Sequence, residues 1–341
     1  MTQESGAASV TAVIPNFNGA RFLPRVIEDL RKQSHPVACI MVVDNGSTDS
    51  SIAVSTEAGA DVIRLESNQG FAAAVNRGMR DCATPFLAVL NNDVELDPHW
   101  LERLMGALEL PDTWFATGKI ASRRHTGRID ATFDCLARSG LAWRCGHGRP
   151  DSPLWDQHAR IWSAPWTAAV FRRELFDRIG QLDERFESYL EDTEFGLRCA
   201  LAEKPGAYVP AALAWHWGSA TLGMWHPETV RRLARNQVFL VAKHFPALSR
   251  SGLWWPVLAG QLLWGAVALR HGRLHSYLKG KWEGLRRFSE LRPLPAPVTT
   301  GPFTGADERI VSVLARSERT IRDLQQRSGW DLYWRLYFTL T

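Results

Sequence analysis

Thr11-Ala12-Val13-Ile14-Pro15-Asn16-Phe17-Asn18-Gly19 is the segment from which the rest of the chain can be read. Thr11–Pro15 is a short apolar run with the look of a strand, and the chain turns sharply after it. Ala20–Gln33 follows as an amphipathic helix, with Phe22, Leu23, Val26, Ile27 and Leu30 at helical spacing. Working outward, Cys39–Asp44, Asp61–Glu66 and Phe86–Leu90 are further apolar runs, with a helical pattern at Phe71–Asp81. Alternation of strand and helix at this spacing predicts a parallel α/β sheet with right-handed crossovers. Polar loops at the carboxyl ends of such strands are where ligands bind.

Residues 115–165 offer only strand-like fragments, Gly-rich turns and several Trp. Beyond them, Arg172–Gly180 and Asp192–Ala202 read as helices, Ala207–Val209 as a strand and Glu228–His244 as a longer helix. The 341 residues exceed one average domain. The expected division is a polar, disordered stretch over 1–9, a catalytic domain over 10–246 and a helical region over 247–341.

Composition narrows the class. The chain is 45% hydrophobic and 22% charged, which excludes a disordered chain and a multi-spanning membrane protein. A net charge of +4 is too small for a dominant nucleic-acid surface. Five scattered cysteines, none in a C-x-x-C pair, argue for a reducing compartment and against a zinc framework. Met1–Ser9 has no basic segment followed by an apolar one, so no secretory signal is expected.

The chain changes character near its end. Leu253–Leu269 has no charge and contains Trp254, Trp255 and Trp264. A helix of that length spans roughly 25 Å, short of the roughly 30 Å hydrocarbon core, and Pro256 and Gln261 weigh further against a crossing. Residues 270–292 carry seven Lys and Arg against two Glu. A Trp-rich apolar segment followed by a basic one suits an anionic membrane face; docking on the main domain is the alternative. Pro293–Gly305 reads as a linker, Asp307–Arg327 as an amphipathic helix, and Trp330–Phe338 as an aromatic tail for a lipid interface or a subunit contact.

Four segments carry chemistry. Val13–Gly19 offers open amides and an aromatic ring where a strand meets a helix. In Val42-Val43-Asp44-Asn45-Gly46-Ser47-Thr48-Asp49, Asp44 closes a buried strand, placed either to accept hydrogen bonds from a base or ribose or to cap the next helix. Ser47 or Asp49 would cap as well, leaving Asp44 freer for a ligand. Leu90-Asn91-Asn92-Asp93-Val94-Glu95 puts a carboxylate at a strand end, where a hard divalent cation finds oxygen ligands; turns use the same residues. Tyr189-Leu190-Glu191-Asp192-Thr193-Glu194 brings adjacent acids into a helix start, a site the macrodipole also favours.

Together and in this order, these segments resemble the family 2 glycosyltransferases of the GT-A fold, especially their bacterial rhamnosyltransferase-like branch. The likeness runs from about Val10 to about Pro246 and includes Asn68-x-Gly70, Asn76-x-Gly78 and Gly180-x-Leu182-Asp183-Glu184-Arg185-Phe186. It implies an α/β fold with a mixed, mostly parallel central sheet flanked by helices, and here a helical C-terminal extension. Carried over residue by residue, it implies Pro15, Phe17 and Asp44 at the nucleobase and ribose. Gly70 and Asn76 would shape the loop beside the nucleotide, with Asn92 near the ribose. Asp93 and His216 would be metal ligands and Asp192 the general base. Glu191 would help position the acceptor, and Trp166 would either stack on an acceptor sugar or belong to the core. The chain departs from the family's D-x-D pattern, since Asn91-Asn92-Asp93 has one carboxylate; Glu95 is a candidate second acid.

The resemblance therefore implies an inverting, Mn2+- or Mg2+-dependent sugar transferase, cytoplasmic and peripheral on the inner face of the cell membrane. The expected donor is dTDP-rhamnose, with UDP-GlcNAc or UDP-galactofuranose next, and the acceptor a glycan or polyprenyl-linked glycan. A homo-oligomer through the C-terminal helices is open. A dehydrogenase is disfavoured because no G-x-G-x-x-G follows the first strand, and a P-loop NTPase because its signature is absent. A sugar nucleotidyltransferase and a non-catalytic carrier- or partner-binding module remain as alternatives.

Overall fold

Strand β1 (Val10–Asn16) is buried along its whole length and lies inside a ten-stranded sheet. The computed structural model describes residues 9–218, 225–245, 251–291 and 306–341. Most of the expected 1–9 segment and all of the 293–305 linker lie outside the described residues.

Alternation along β1 settles which helices cover it. Ala12 and Ile14 face one layer with α1 (Leu23–Arg31) and α4 (Trp100–Leu108), through Leu23, Val26, Ile27, Leu30, Trp100 and Leu104. Burying each of these side chains contributes about 1.5–3 kcal/mol. Val13 points the other way, onto α3 (Phe71–Asp81). Gly78 permits that contact, because a Cβ there would lie 2.5 Å from Val13 Cγ1.

β1 pairs in parallel with β2 (Cys39–Asp44) and β4 (Phe86–Leu90), and β2 with β3 (Asp61–Arg64). β11 (Ala168–Arg172) runs antiparallel between β4 and β6 (Phe115–Ser122), and β12 (Gly206–His216) pairs in parallel with β6. β5 (Val94–Leu96) and β10 (Ala159–Ile161) add to β12, and β7 (Ile129–Ala131) to β6. The expected mixed, mostly parallel sheet flanked by helices is what forms. β12 extends to His216, well past the expected Ala207–Val209. Pro210 sits where the register shifts between Val209 and Leu213, a bulge that lets the strand accept a residue with no N–H.

The chain divides into two compact units, and the boundary differs from the expected one at 246. One unit comprises Met1–Phe133, Gly146–Glu187 and Lys204–Gly218; the other comprises Asp134–Cys145, Ser188–Glu203 and Ser219–Thr341. The second thus takes two inserts from the middle of the chain. One is the hairpin of β8 (Asp134–Leu136) and β9 (Ala142–Arg144), the other α6 (Glu191–Leu201).

Within this second unit, α6 is pinned to α7 (Pro227–His244) by Glu194, which is fully buried. Burial opposes its charge, but Arg198, His244 and Lys243 outweigh that and hold the carboxyl well below its usual range. α8 (Trp254–Arg270) and α9 (Leu274–Arg286) follow. α9 lies close against α7 because Gly280 and Gly284 face it; a Cβ at Gly280 would sit 2.1 Å from the Arg231 carbonyl. α10 (Ala306–Ser328) clamps the hairpin: Ser317 Oγ accepts from Leu136 N at 2.9 Å, and Glu318 takes Arg138 Nε at 2.6 Å. α11 (Leu332–Leu340) sets Trp334 edge-on to Trp143 at 6.5 Å. Among the described residues no helix is long and apolar enough to cross a membrane. None of the five cysteines forms a disulfide.

Candidate active site

In the sheet unit, the carboxyl ends of β1, β2, β4 and β12 gather polar side chains along one edge. Asp44, 2% exposed, accepts from Asn16 Nδ2 at 3.1 Å and from Ser47 N at 3.0 Å. Asn16 Oδ1 in turn accepts from Asn92 Nδ2 at 2.7 Å, so the ends of three neighbouring strands are stitched through one amide. Gly19 makes room for this link, since a Cβ there would lie 2.1 Å from Asn92 Nδ2. Asp49 takes Ser51 N at 3.0 Å at the start of α2 (Ser51–Glu57), relieving Asp44 of any need to cap. Pro15 is buried in β1, and Phe17 is half-buried just beyond it.

Asp93 and His216 meet at the same edge, with Asp93 Oδ1 3.1 Å from Nε2 of the ring. Asp130, in β7, holds the other ring nitrogen: its Oδ2 lies 2.9 Å from Nδ1. Burial alone would lower the imidazolium, but hydrogen bonds to Asp130 and Asp93 prevail and push it up to about 9. The His216 ring thus has one nitrogen fixed by a carboxylate and the other turned to Asp93, the orientation used to present a histidine to a metal. Among the described residues no group of three or more His, Cys, Asp or Glu is arranged to hold a metal unaided.

Three expectations change. Glu95 is not beside Asp93: its carboxylate is taken by Arg123 and by Trp217 Nε1 at 3.1 Å, because β5 runs beside β12 and directs it there. Trp166 is 2% exposed and packs at 4.5 Å from the Phe171 ring, with Phe176 at 6.1 Å; it belongs to the core and gives an acceptor sugar no platform. Asn76 is committed to the chain itself. Its Nδ2 donates to Leu182 O at 2.9 Å and Glu184 Oε1 at 3.0 Å, and its Oδ1 accepts from Leu182 N at 3.0 Å, fastening the segment before Glu187.

Gly70 serves the same segment. Its φ is +92°, and a Cβ there would lie 2.7 Å from Glu187 Cα. Gly70→Ala is therefore expected to lose about 1–3 kcal/mol of stability from backbone strain, plus the displacement of Glu187. Denaturant melts of the two proteins check this; matching midpoints would remove the packing argument.

In the second unit, the turn into α6 is strained. Tyr189 and Leu190 both have positive φ, 75° and 67°, which bulky residues rarely adopt. Asn236 holds that geometry, its fully buried Nδ2 donating to Ser188 O at 3.0 Å and Tyr189 O at 2.7 Å. Strain kept in place this way tends to mark a working segment. It delivers Glu191 and Asp192 to the first turn of the helix. Asp192 Oδ1 accepts from Thr193 N at 2.7 Å, and Oδ2 lies 3.5 Å from the Arg144 guanidinium, which also reaches Asp134 at 3.5 Å. Glu191 is 6% exposed and its Oε2 has no hydrogen-bond partner. Burial first, and the neighbouring Asp192 second, push its carboxyl well above the usual range.

Asn16, Asp130 and Arg144 escaped the sequence reading. Asn16 stood inside the quoted segment and needed only the register that sets it beside Asp44. Asp130 and Arg144 lie in three-residue strands, too short for any periodicity to announce.

Comparison with known proteins bears on the family and the fold. Residues 11–180 match the model for glycosyl transferase family 2. A pre-mycofactocin glycosyltransferase of Mycobacterium tuberculosis is 30% identical over 219 residues, 63% of this chain and 44% of the relative. The chain thus spans less than half the length of that relative. An N-acetylglucosaminyl-diphospho-decaprenol L-rhamnosyltransferase of the same organism is 25% identical over 308 residues, 76% of this chain and 92% of the relative. Among solved structures, GalNAc-T7 with UDP, GalNAc and Mn2+ aligns with a TM-score of 0.58 at 16% identity, over 85% of this chain and 58% of that one. The mannosyltransferase PcManGT of Pyrobaculum calidifontis, with GDP-Man and Mn2+, aligns with a TM-score of 0.51 at 16% identity, over 97% and 86%. The fold is of the GT-A type.

Proposed function

The chain belongs to glycosyl transferase family 2, and on that premise we propose that it is an inverting, metal-dependent transferase. It moves a sugar from a nucleoside-diphosphate donor to a hydroxyl of a glycan or lipid-linked glycan, at the inner face of a membrane. Rhamnose from dTDP-rhamnose is the favoured sugar, supported by the rhamnosyltransferase relative that the chain covers almost end to end. The observation that carries the reading is the Asp93–His216–Asp130 arrangement at the carboxyl edge of the sheet.

Asp93 and His216 fit a divalent cation, one oxygen and one nitrogen ligand with the ring already oriented. A cation held by these two residues would supply positive charge against that growing on the departing diphosphate. Asp130 keeps the His216 ring in position. Asp44 offers acceptor oxygens to the nucleoside, and Asn16 holds both Asp44 and Asn92 in place beside it. Asp192 takes the proton of the attacking hydroxyl as the new bond forms. Attack opposite to the departing diphosphate inverts the anomeric centre.

A pH effect follows from His216. Hydrogen bonds to Asp130 and Asp93 outweigh burial and push the ring up to about 9, and a ligand imidazole must be neutral. Mn2+ affinity is therefore expected to rise about tenfold per pH unit below that point and to level off above it. Calorimetric titrations with donor nucleotide at several pH values read this directly; a flat profile would remove His216 from the ligand set.

The reaction itself is tested with purified protein, divalent metal and a panel of nucleotide sugars, scoring nucleoside diphosphate release with and without candidate acceptors. Pyrophosphate release would mark a nucleotidyltransferase instead, and a retained anomeric configuration would exclude single displacement.

A further inference from the structure

Five large apolar side chains of α8 face outward, while Trp264 packs against the cluster of Val230, Ala234 and Tyr277. Trp254, Trp255, Leu258, Leu262 and Leu269 are 41–65% exposed and fall within roughly 100° of helical arc. The buried positions of this helix are Pro256, Ala259, Gly260, Gly265 and Ala268, and Gln261 is held by its Nε2, which donates to Ser139 O at 2.9 Å. α9 does the same: Leu278, Trp282 and Leu285 point out, while Lys281 turns its ammonium inward onto Gln261 and onto Gln237 at 2.8 Å. α11 adds exposed Leu332, Leu336 and Leu340 at a four-residue spacing. A helix folded for water alone puts its large apolar residues inside and its amines outside.

These stripes belong to helices joined to one another. Tyr277 on α9 donates to Gln261 O on α8 at 2.7 Å, and Trp255 Nε1 on α8 donates to Leu340 O on α11 at 2.7 Å. Of fifteen exposed large hydrophobic residues among those described, thirteen lie between 254 and 340. That is a concentrated patch, which marks an interaction surface where single exposed residues do not.

Charge says what covers it. Arg270, Lys279 and Arg286 are exposed beside the stripes, and the Arg286 guanidinium sits 4.4 Å from the Trp282 ring. The acid of α9, Glu283, is turned away onto Arg231. Pairing with a second copy through a two-fold axis would set these cations against themselves. Anionic headgroups over acyl chains satisfy both the cations and the Trp and Leu stripes.

We propose that the outward faces of α8, α9 and α11 form a docking surface for an anionic lipid bilayer, on which the helices lie without crossing. This deepens the lipid-linked acceptor reading by naming the surface that brings the chain to such an acceptor.

The test is co-sedimentation of the full chain, without donor or metal, with two kinds of vesicle. One kind is three parts phosphatidylethanolamine to one part phosphatidylglycerol, the other pure phosphatidylcholine. Partition onto the anionic vesicles is expected to exceed that onto phosphatidylcholine by about tenfold or more. The pair L258E/L262E should lower it about tenfold, and K279E/R286E should erase the preference for anionic lipid. L336E on α11 provides a second route if the α8 pair lowers the melting temperature. Wild-type chain that stays in the supernatant, or glutamate variants that sediment undiminished, would overturn the proposal. So would a vesicle-independent dimer in light scattering that L258E/L262E dissociates, which would give the surface to a second copy. Donor turnover with a water-soluble acceptor is read separately: lipid binding without turnover leaves this surface standing and removes the transferase reading, and turnover without lipid binding does the reverse.

Discussion

Asp192→Asn is expected to lower kcat by about 10²–10⁴-fold, the usual worth of a positioned base, while donor affinity stays within about twofold. The substitution keeps the shape. Asn still offers an oxygen to Thr193 N, so the first turn of α6 retains its bond. What disappears is the carboxylate proposed to accept the proton. Glu191 cannot stand in for it. Burial first, and the neighbouring Asp192 second, hold its carboxyl well above the usual carboxylate range, and its Oε2 has no hydrogen-bond partner, which makes it the poorer proton acceptor of the two. Glu191→Gln, which keeps the size and shape of the side chain, should therefore retain far more turnover than Asp192→Asn. Initial rates beside donor titrations separate the two; equal losses would mean that the assignment of base and neighbour is wrong.

Asp93→Asn is expected to fail differently. Stabilising the charge that leaves with the diphosphate is worth several kcal/mol, so turnover should fall about 10²-fold or more. Here donor binding should weaken too, and its stimulation by Mn2+ should vanish. The His216 ring would keep its orientation, because Asp130 holds Nδ1 independently at 2.9 Å. Chelation of the wild-type protein should reproduce both losses and readdition of metal should reverse them, whereas the variant should respond to neither. A variant that still binds donor more tightly with Mn2+ would move the metal away from Asp93.

Much of this fold was legible because periodicity reports burial. Cys39–Asp44, Phe71–Asp81 and Phe86–Leu90 begin and end where their apolar pattern does, and the acids at the ends of β2 and β4 follow from strands that stop at polar turns. Legibility failed where elements are too short to have a period. β7, β8, β9 and β10 have three residues each. They carry Asp130 and Arg144, the residues that touch His216 and Asp192. β12 runs on past the expected Ala207–Val209 because Pro210, a residue that ends most strands, here falls in a bulge. Trp166 shows another limit: an aromatic residue reads the same in sequence whether it faces a sugar or Phe171, and only packing distinguishes them.

The hairpin insert also bears on how this enzyme can be cut or recombined. Arg144, the guanidinium beside Asp192, rides on β9, and the hairpin is gripped through Ser317, Glu318 and Trp334. An expression boundary drawn near residue 246, natural as it looks on paper, would discard every one of those grips. Chimeras that exchange tails between homologues would likewise trade away the residues that hold the hairpin of Arg144, so the hairpin and the helices that grip it have to be inherited as one piece.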